Sequence, residues 1–478
     1  MRYEEYPAPR WWPGWLLLLF ILLMVPHSQL PELSDAEAYY ALMGREMAEG
    51  GNYLRATLLG QRAFAFPLVP WMLGLASHVL PLTELTVRLV GMLPAALLAL
   101  VCGWYTGRLA GTHAGAVAAA AAGSAGIVVF QTGPLGESSA LFALLINGAW
   151  LLWYHFSRVR KRWFTAWLLT HLLMCLAILA GGMKAIFFIY FPLVWMRRPL
   201  KIRKRLMQSD HWLSLALTVA VIVAWILLAP GLKEHLTTFF STFRWTEATR
   251  GYFARLVRYP WRVLLGSLPW LLLAWPTWCA AFRPLEKRPV FCGYLRVIVS
   301  SLFFACWLLP TGSPRLLLPL VGPLAILVGM NYDLLVRRYG NEIRRGTRIA
   351  AGCFLVLTLG VAGVMAFWYH TGRLAGLPLG VSVTTVTMLC LVPALALVFL
   401  RYRVRLPVWM LIVVCMLMGK FLYAGSYQVY AYLHRSSKRD FAARIDAKLP
   451  DNEDDVYLIY PKERGRFTAE WFYLKHRV

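Results

Sequence analysis

Carboxylates are scarce in this chain: 23 Asp and Glu stand against 49 Lys and Arg in 478 residues, and only 15% of residues are charged. Soluble domains carry about 25% charged residues, so most of this chain is not built to face water. Paired thiols are lacking too. The eight cysteines, at 102, 175, 279, 292, 306, 353, 390 and 415, form no Cys-x-x-Cys pair and lie in or beside apolar runs. That excludes a disulfide framework and a recognisable zinc site. No internal repeat is visible, and none of the inverted symmetry common in transporters.

What is present is apolar length: 59% of residues are hydrophobic and 14% aromatic. A membrane-spanning helix needs roughly 20 apolar residues. Spans are predicted near 13–30, 86–109, 114–131, 138–156, 163–180, 184–196, 211–229, 262–281, 291–309, 315–334, 349–369, 377–400 and 407–425, about thirteen in all. Trp11 and Trp12 head the first as an aromatic belt, and no small-residue cleavage site follows it, so it reads as a retained span rather than a signal peptide. Residues 64–80 are apolar but interrupted by Pro67 and Pro70, and read as a re-entrant or surface element.

The net charge of +26 points first to nucleic acid, but the basic residues sit in short clusters between spans. Such clusters hold loops on the cytoplasmic side. With the N-terminus inside, the clusters at 157–162, 197–205, 283–288, 337–348 and 401–405 all face the cytoplasm, and the C-terminus lies outside. The expected organisation is an all-α polytopic membrane domain over 1–425 and a small outer tail over 426–478. In the tail, Ser437 and Asp440 resemble a cap opening a helix to about Lys448, Val456 to Tyr460 reads as a strand, and Thr468 to Lys475 as a helix or strand. The tail is too short for a core of its own and is expected to pack on the membrane domain.

This topology collects polar groups on one face. Asp35 and Glu37 follow the first span, Glu137 precedes the fourth, Lys184 the sixth and Arg315 the tenth, and Arg250 lies in the outer segment 231–260. Ionisable groups at that depth are costly and usually functional. Taken singly, each acid is equally a helix cap complementing the dipole, and each cation a snorkelling anchor. Taken together, two acidic sites and several cations suit an anionic, lipid-borne substrate, with carboxylates meeting hydroxyls and Arg or Lys holding phosphate. His78, His113 and His171 read as structural, and Tyr39, Trp71 and Trp245 as packing residues.

Three stretches carry a family resemblance: Glu37-Ala-Tyr-Tyr-Ala-Leu-Met-Gly-Arg-Glu-Met47, Leu59 to Pro67, and Leu85 to Pro94. They resemble the N-terminal signature of the GT-C glycosyltransferases, in the branch of the lipid A aminoarabinose transferases, with the protein O-mannosyltransferases as relatives. Leu179 to Ala185 and Ser313 to Leu320 are similar to later motifs of that family. The resemblance implies a GT-C fold in a bacterial inner membrane, with inverting sugar transfer from a polyprenyl-phosphate donor to lipid A or another envelope acceptor on the periplasmic face. It implies Asp35, Glu37 and Glu137 as catalytic acids, Arg62, Lys184, Arg250 and Arg315 at the donor phosphate, and no cofactor; a divalent metal at the phosphate stays open, with no ligand spacing that indicates one. Two departures stand out. Ala36 occupies the place of the family's aspartate, with Asp35 one residue early, and Phe66 replaces a phosphate-binding lysine, for which Arg62 is the candidate substitute. The competing expectations are a catalytically degenerate GT-C-fold protein that binds a lipid or partner, and a lipid or sugar transporter.

Overall fold

The computed structural model describes residues 12–26, 28–54, 56–62, 66–196, 205–228, 252–309, 314–372, 379–402, 406–435, 437–448 and 468–474. The strand expected at 456–460 and the candidate Arg250 lie outside the described residues. The architecture is a helical membrane bundle, as the apolar runs require. Its elements are α1 (Trp12–Met24), α2 (Asp35–Gly50), α3 (Leu68–Ser77), α4 (Glu84–Ala110), α5 (Thr112–Gly123), α6 (Ser138–Tyr154), α7 (Trp163–Gly181), α8 (Lys184–Val194) and α9 (Ser209–Leu228). There follow α10 (Tyr252–Ser267), α11 (Trp270–Ala274), α12 (Pro289–Leu308), α13 (Leu318–His370), α14 (Leu379–Tyr402), α15 (Val408–Tyr423), α16 (Val429–Arg435), α17 (Ser437–Asp446) and α18 (Thr468–Phe472). Among the described residues, seven helical segments are long and apolar enough to cross a membrane, and α1, α3 and α8 are shorter apolar helices.

Between α2 and α3 lies a two-residue hairpin, β1 (Thr57–Leu58) and β2 (Gln61–Arg62). Leu59 and Gly60 at its tip both have positive φ, 55° and 69°, which suits the twist of a tight hairpin. The Glu46 carboxylate accepts the backbone N–H of Leu59 and fastens the tip to α2.

The predicted span 262–281 is not one helix. α10 ends at Ser267, and the chain restarts at α11 after Pro269. The faces of α10 explain why it does not cross. Tyr259 and Val263 are buried, Phe253, Val257 and Trp261 form an exposed apolar stripe, and Arg258 and Arg262 are exposed beside it. This is the form of a helix lying in the membrane interface. It is moored at one end to α12, where Tyr252 donates to the Leu308 carbonyl and Trp307 to that of Leu256.

The predicted spans 315–334 and 349–369 are joined without a break, because α13 runs for 53 residues. A straight helix of that length measures about 80 Å, far beyond a hydrocarbon core of about 30 Å. Its contacts show that it turns back. The first half runs against α6 and α5: Asn147 bonds the Pro319 carbonyl at 2.9 Å, and His113 meets Asp333 at 3.5 Å. The second half runs alongside α15 in the same direction, with Arg344 on the Leu406 carbonyl, Cys415 on that of Thr347, and Phe354 against Gly419. Since α15 starts beside Tyr332 and ends beside Val129, the direction reverses between Asp333 and Arg344. The basic run expected as a loop is a helical elbow.

Residues 437–446 form α17, and Thr468–Phe472 forms α18; α18 sits on α2, and α17 packs against α18 and reaches α2 through Lys438 and Asp35. The Glu32 carboxylate caps the start of α17 by accepting the N–H groups of Lys438 and Arg439 at 3.0 and 2.9 Å. Trp471, Leu474 and Ala442 share one buried cluster with Leu42. These helices are packed on α2 rather than around a core of their own.

Candidate functional site

Local chemistry fixes α2 at its first turn. Ser34 has extended backbone, and its hydroxyl accepts the Glu37 N–H while the Glu37 Oε2 accepts the Ser34 N–H at 2.8 Å. This is a capping box. The other carboxylate oxygen, Oε1, accepts Arg88 Nε at 3.2 Å and the Gly136 N–H at 2.8 Å. Glu37 is fully buried, and all its bonds go to protein. Arg88, on α4, spends its remaining donors on the carbonyls of Ser28 and Glu32. The pair is therefore a clip joining α2, α4, the α1–α2 connection and the loop before α6. Glu37 thus serves both the cap and the clip.

Asp35, two residues earlier, faces the other way. Its carboxylate is half-exposed and pairs with Lys438 of α17 at 2.8 Å. Neighbouring ties reinforce this strap: Arg439 pairs with Glu84 at 2.6 Å, and the Leu33 N–H donates to the Tyr473 hydroxyl.

The acid that meets one of the candidate phosphate-binding cations is Glu137. It ends the loop from Gly133 at the N-cap position of α6, without a side-chain capping bond. That loop lies hard against α4. A Cβ on Gly91 would fall 1.9 Å from the Leu135 carbonyl oxygen, and one on Gly136 2.6 Å from that of Val87, so only glycines permit the approach. Glu137 Oε2 meets Arg315 Nη1 at 2.5 Å. Arg315 stands in a 3-10 turn, Pro314–Leu317, with its side chain half-exposed. Glu137 itself is buried, and its Oε1 accepts no hydrogen bond from the described residues. Burial holds its carboxyl above the ordinary range; Arg315 opposes this, Glu37 adds to it, and Lys184 opposes it.

Lys184 opens α8 at the same end of the bundle and remains exposed. Its ammonium lies 4.8 Å over the Phe142 ring, a cation–π contact. The turn before it depends on Gly182, which has a φ of +86° and packs under the Phe66 ring so closely that a Cβ would collide with it. Phe66, replacing the lysine of the resembled motif, thus roofs the turn that presents Lys184. Arg62 stands in β2, paired across the hairpin with Thr57.

An open apolar groove of about 480 Å³ begins at Leu317, two residues beyond Arg315, and runs between α10 and α12. Val263, Trp275, Phe303 and Phe304 line it. Among the described residues no group of His, Cys, Asp and Glu is placed to hold a metal ion. The structure thus brings Glu137, Arg315 and Lys184 together, turns Asp35 outward, and assigns Glu37 to a clip. Arg88 was not among the candidates, although a lone arginine in the apolar run of α4 signals a buried partner.

No family model matches the chain. Over 337 residues it is 27% identical to undecaprenyl phosphate-alpha-4-amino-4-deoxy-L-arabinose arabinosyl transferase 1 of Sodalis glossinidius, covering 66% of this chain and 58% of that protein. It is also 27% identical over 378 residues to the corresponding transferase of Aeromonas hydrophila, covering 74% and 66%. The match therefore spans less than two thirds of the length of either relative. Among solved structures, ArnT from Cupriavidus metallidurans bound to undecaprenyl phosphate superposes with a TM-score of 0.71 at 20% identity, over 97% of this chain and 85% of that one. The fold is the GT-C fold of that structure.

Proposed function

We propose that this protein is a membrane glycosyltransferase that moves a sugar from a polyprenyl-phosphate donor to an anionic lipid acceptor, with lipid A as the model acceptor. The observation that carries the reading is the Glu137–Arg315 pair, with one carboxylate oxygen unpartnered among the described residues and Lys184 near it, and with Arg315 two residues before Leu317 of an apolar groove. The similarity to the arabinosyl transferases supports the same donor class. The charge bias of the loops supports placing this end of the bundle on the periplasmic face, with the N-terminus in the cytoplasm.

The chemistry follows from these groups. An acceptor oxygen attacks the anomeric carbon opposite the donor phosphate, the carbon–oxygen bond to that phosphate breaks, and polyprenyl phosphate leaves with the electron pair. The leaving group gains a negative charge, which Arg315 and Lys184 stabilise. Glu137 Oε2 orients Arg315, and Oε1 receives a hydroxyl or ammonium group of the sugar. The groove takes the first isoprene units of the donor.

The two candidate acids of the first turn of α2 are already engaged, Glu37 in its clip and Asp35 with Lys438. This favours an acceptor that is already anionic, a phosphate, for which positioning suffices. A hydroxyl acceptor would need proton removal, usually worth 10²–10⁴-fold.

Mass spectrometry of envelope lipids from cells with and without the protein tests the reading: a sugar-sized mass increment on a phosphate-bearing lipid is expected, and identical lipid profiles would overturn it. Within that assay, Asp35→Ala is expected to retain transfer within about twofold, since an exposed pair contributes about 0–1 kcal/mol. Glu137→Gln is expected to lower transfer about 10²-fold. Because burial raises its pKa, Glu137 loses the charge that holds Arg315 at a higher pH than an ordinary carboxylate. Transfer by the native protein should therefore fall on acidification along a limb above the usual glutamate range, and that limb should be missing from the Gln variant's pH–rate profile.

A further inference from the structure

A π-helical turn over Ile127–Thr132 leads into the Glu137 loop. In such a turn each carbonyl bonds the N–H five residues on, as the Val128 carbonyl does with the Gly133 N–H at 2.9 Å. The next carbonyl, that of Val129, should bond residue 134, which is proline and has no N–H. Val129 is fully buried, and an unsatisfied carbonyl in the membrane interior costs several kcal/mol.

The missing donor comes from the far end of the chain. Lys420, on α15 and only 1% exposed, donates its ammonium to the Val129 carbonyl at 3.1 Å. The rings of Phe130 and Tyr423 lie 5.9 and 5.8 Å from the same nitrogen, and no carboxylate among the described residues pairs with it. Gly133 follows directly, so tightly seated that a Cβ would lie 2.3 Å from the Val128 carbonyl oxygen and 3.0 Å from Met24 Sδ. Glu137 is four residues further on.

We propose that Lys420 is a positioning residue: it supplies the hydrogen bond that Pro134 withholds, and so fixes the Gly133–Glu137 loop that sets Glu137 against Arg315. The inference rests on the transferase reading for its kinetic consequence, but its structural part stands apart from it.

The test is a pair of substitutions in the full-length protein in nanodiscs, read by transfer kinetics with an undecaprenyl-phosphate sugar and by hydrogen exchange over residues 130–140. Lys420→Met is expected to lower kcat about tenfold, with KM for the donor within about threefold, since small misplacements of a catalytic group cost 10–10²-fold. Amides of the loop should exchange faster. Adding Pro134→Ala to Lys420→Met restores an N–H for the Val129 carbonyl, and should recover most of the lost kcat and the protection. If Lys420→Met does not fold, Lys420→Gln, whose amide can donate to the same carbonyl, is expected to fold with near-native kcat and protection. Wild-type exchange and kcat in Lys420→Met would overturn the proposal, as would failure of Pro134→Ala to restore either readout, or loss of both in a folded Lys420→Gln. Rescue of exchange with no transfer by any form, the native protein included, would overturn the transferase reading and leave the positioning role standing.

Discussion

Arg315→Ala is expected to lower kcat for sugar transfer by about 10²–10³-fold, the loss typical when one preorganised donor to a developing charge is removed. Two features make Arg315 the most sensitive position. It is the cation paired with Glu137, at 2.5 Å, and it stands on the turn from which the apolar groove begins. Its removal leaves Lys184 to carry the leaving phosphate alone and leaves the buried Glu137 without its ion-pair partner. Arg315→Lys should recover only part of the activity, because an ammonium is a point charge without the planar fork that can serve a carboxylate and a phosphate at once. The measurement is single-turnover transfer with radiolabelled donor. A wild-type rate in Arg315→Ala would remove the cation from the mechanism.

Arg88→Met is expected to cost about 3–5 kcal/mol of stability, the usual result of stranding one member of a buried ion pair. The loss is structural rather than chemical. Glu37 would keep only the N–H groups of Ser34 and Gly136, and the carbonyls of Ser28 and Glu32 would lose their donor. Thermal unfolding in nanodiscs should show the drop. Glu37→Gln combined with Arg88→Met should cost less than the sum of the two single changes, because neutralising the carboxylate removes the stranded charge. Strict additivity would mean that the clip is not energetically coupled.

The fold was legible where a physical requirement has only one solution. Apolar length demands helices, and basic clusters between runs mark their connections. What those clusters do not encode is whether the connection unwinds. Residues 334–348 contain no proline, and their two glycines, Gly340 and Gly346, each cost a helix only about 1 kcal/mol, so the charged run stays helical, as the elbow of α13 does. The breakers at 262–281 were visible as Pro269, which lies between α10 and α11, and Pro276, which lies just past the end of α11.

The site was legible in part. Glu137, Lys184 and Arg315 come together from three widely separated stretches, which one shared membrane level already suggests. Ser34 and Glu37 have capping-box spacing, and the box is what forms. Asp35 follows from the same geometry: on a helix, residues two apart point about 200° from each other, so a buried Glu37 turns Asp35 outward. Arg88 and Lys420 were overlooked because each is a single charge in an apolar run. Each nonetheless answers a definite need, a carboxylate in one case and a carbonyl facing a proline in the other.

The strap of α17 and α18 over α2 bears on how such a chain is made. The partners of Asp35, Leu33 and Glu84 lie 403, 440 and 355 residues downstream. At a synthesis rate of about 5–20 residues per second, α2 waits on the order of 20 to 80 seconds after emerging before its covering exists. During that interval the bundle beneath it can assemble, whereas the face that Trp471 and Ala442 will cover stays bare. This face of α2 is thus covered last, by the part of the chain made last among the described elements, and substitutions at Lys438, Arg439 or Tyr473 should act on the yield of finished protein more than on the activity of each finished molecule.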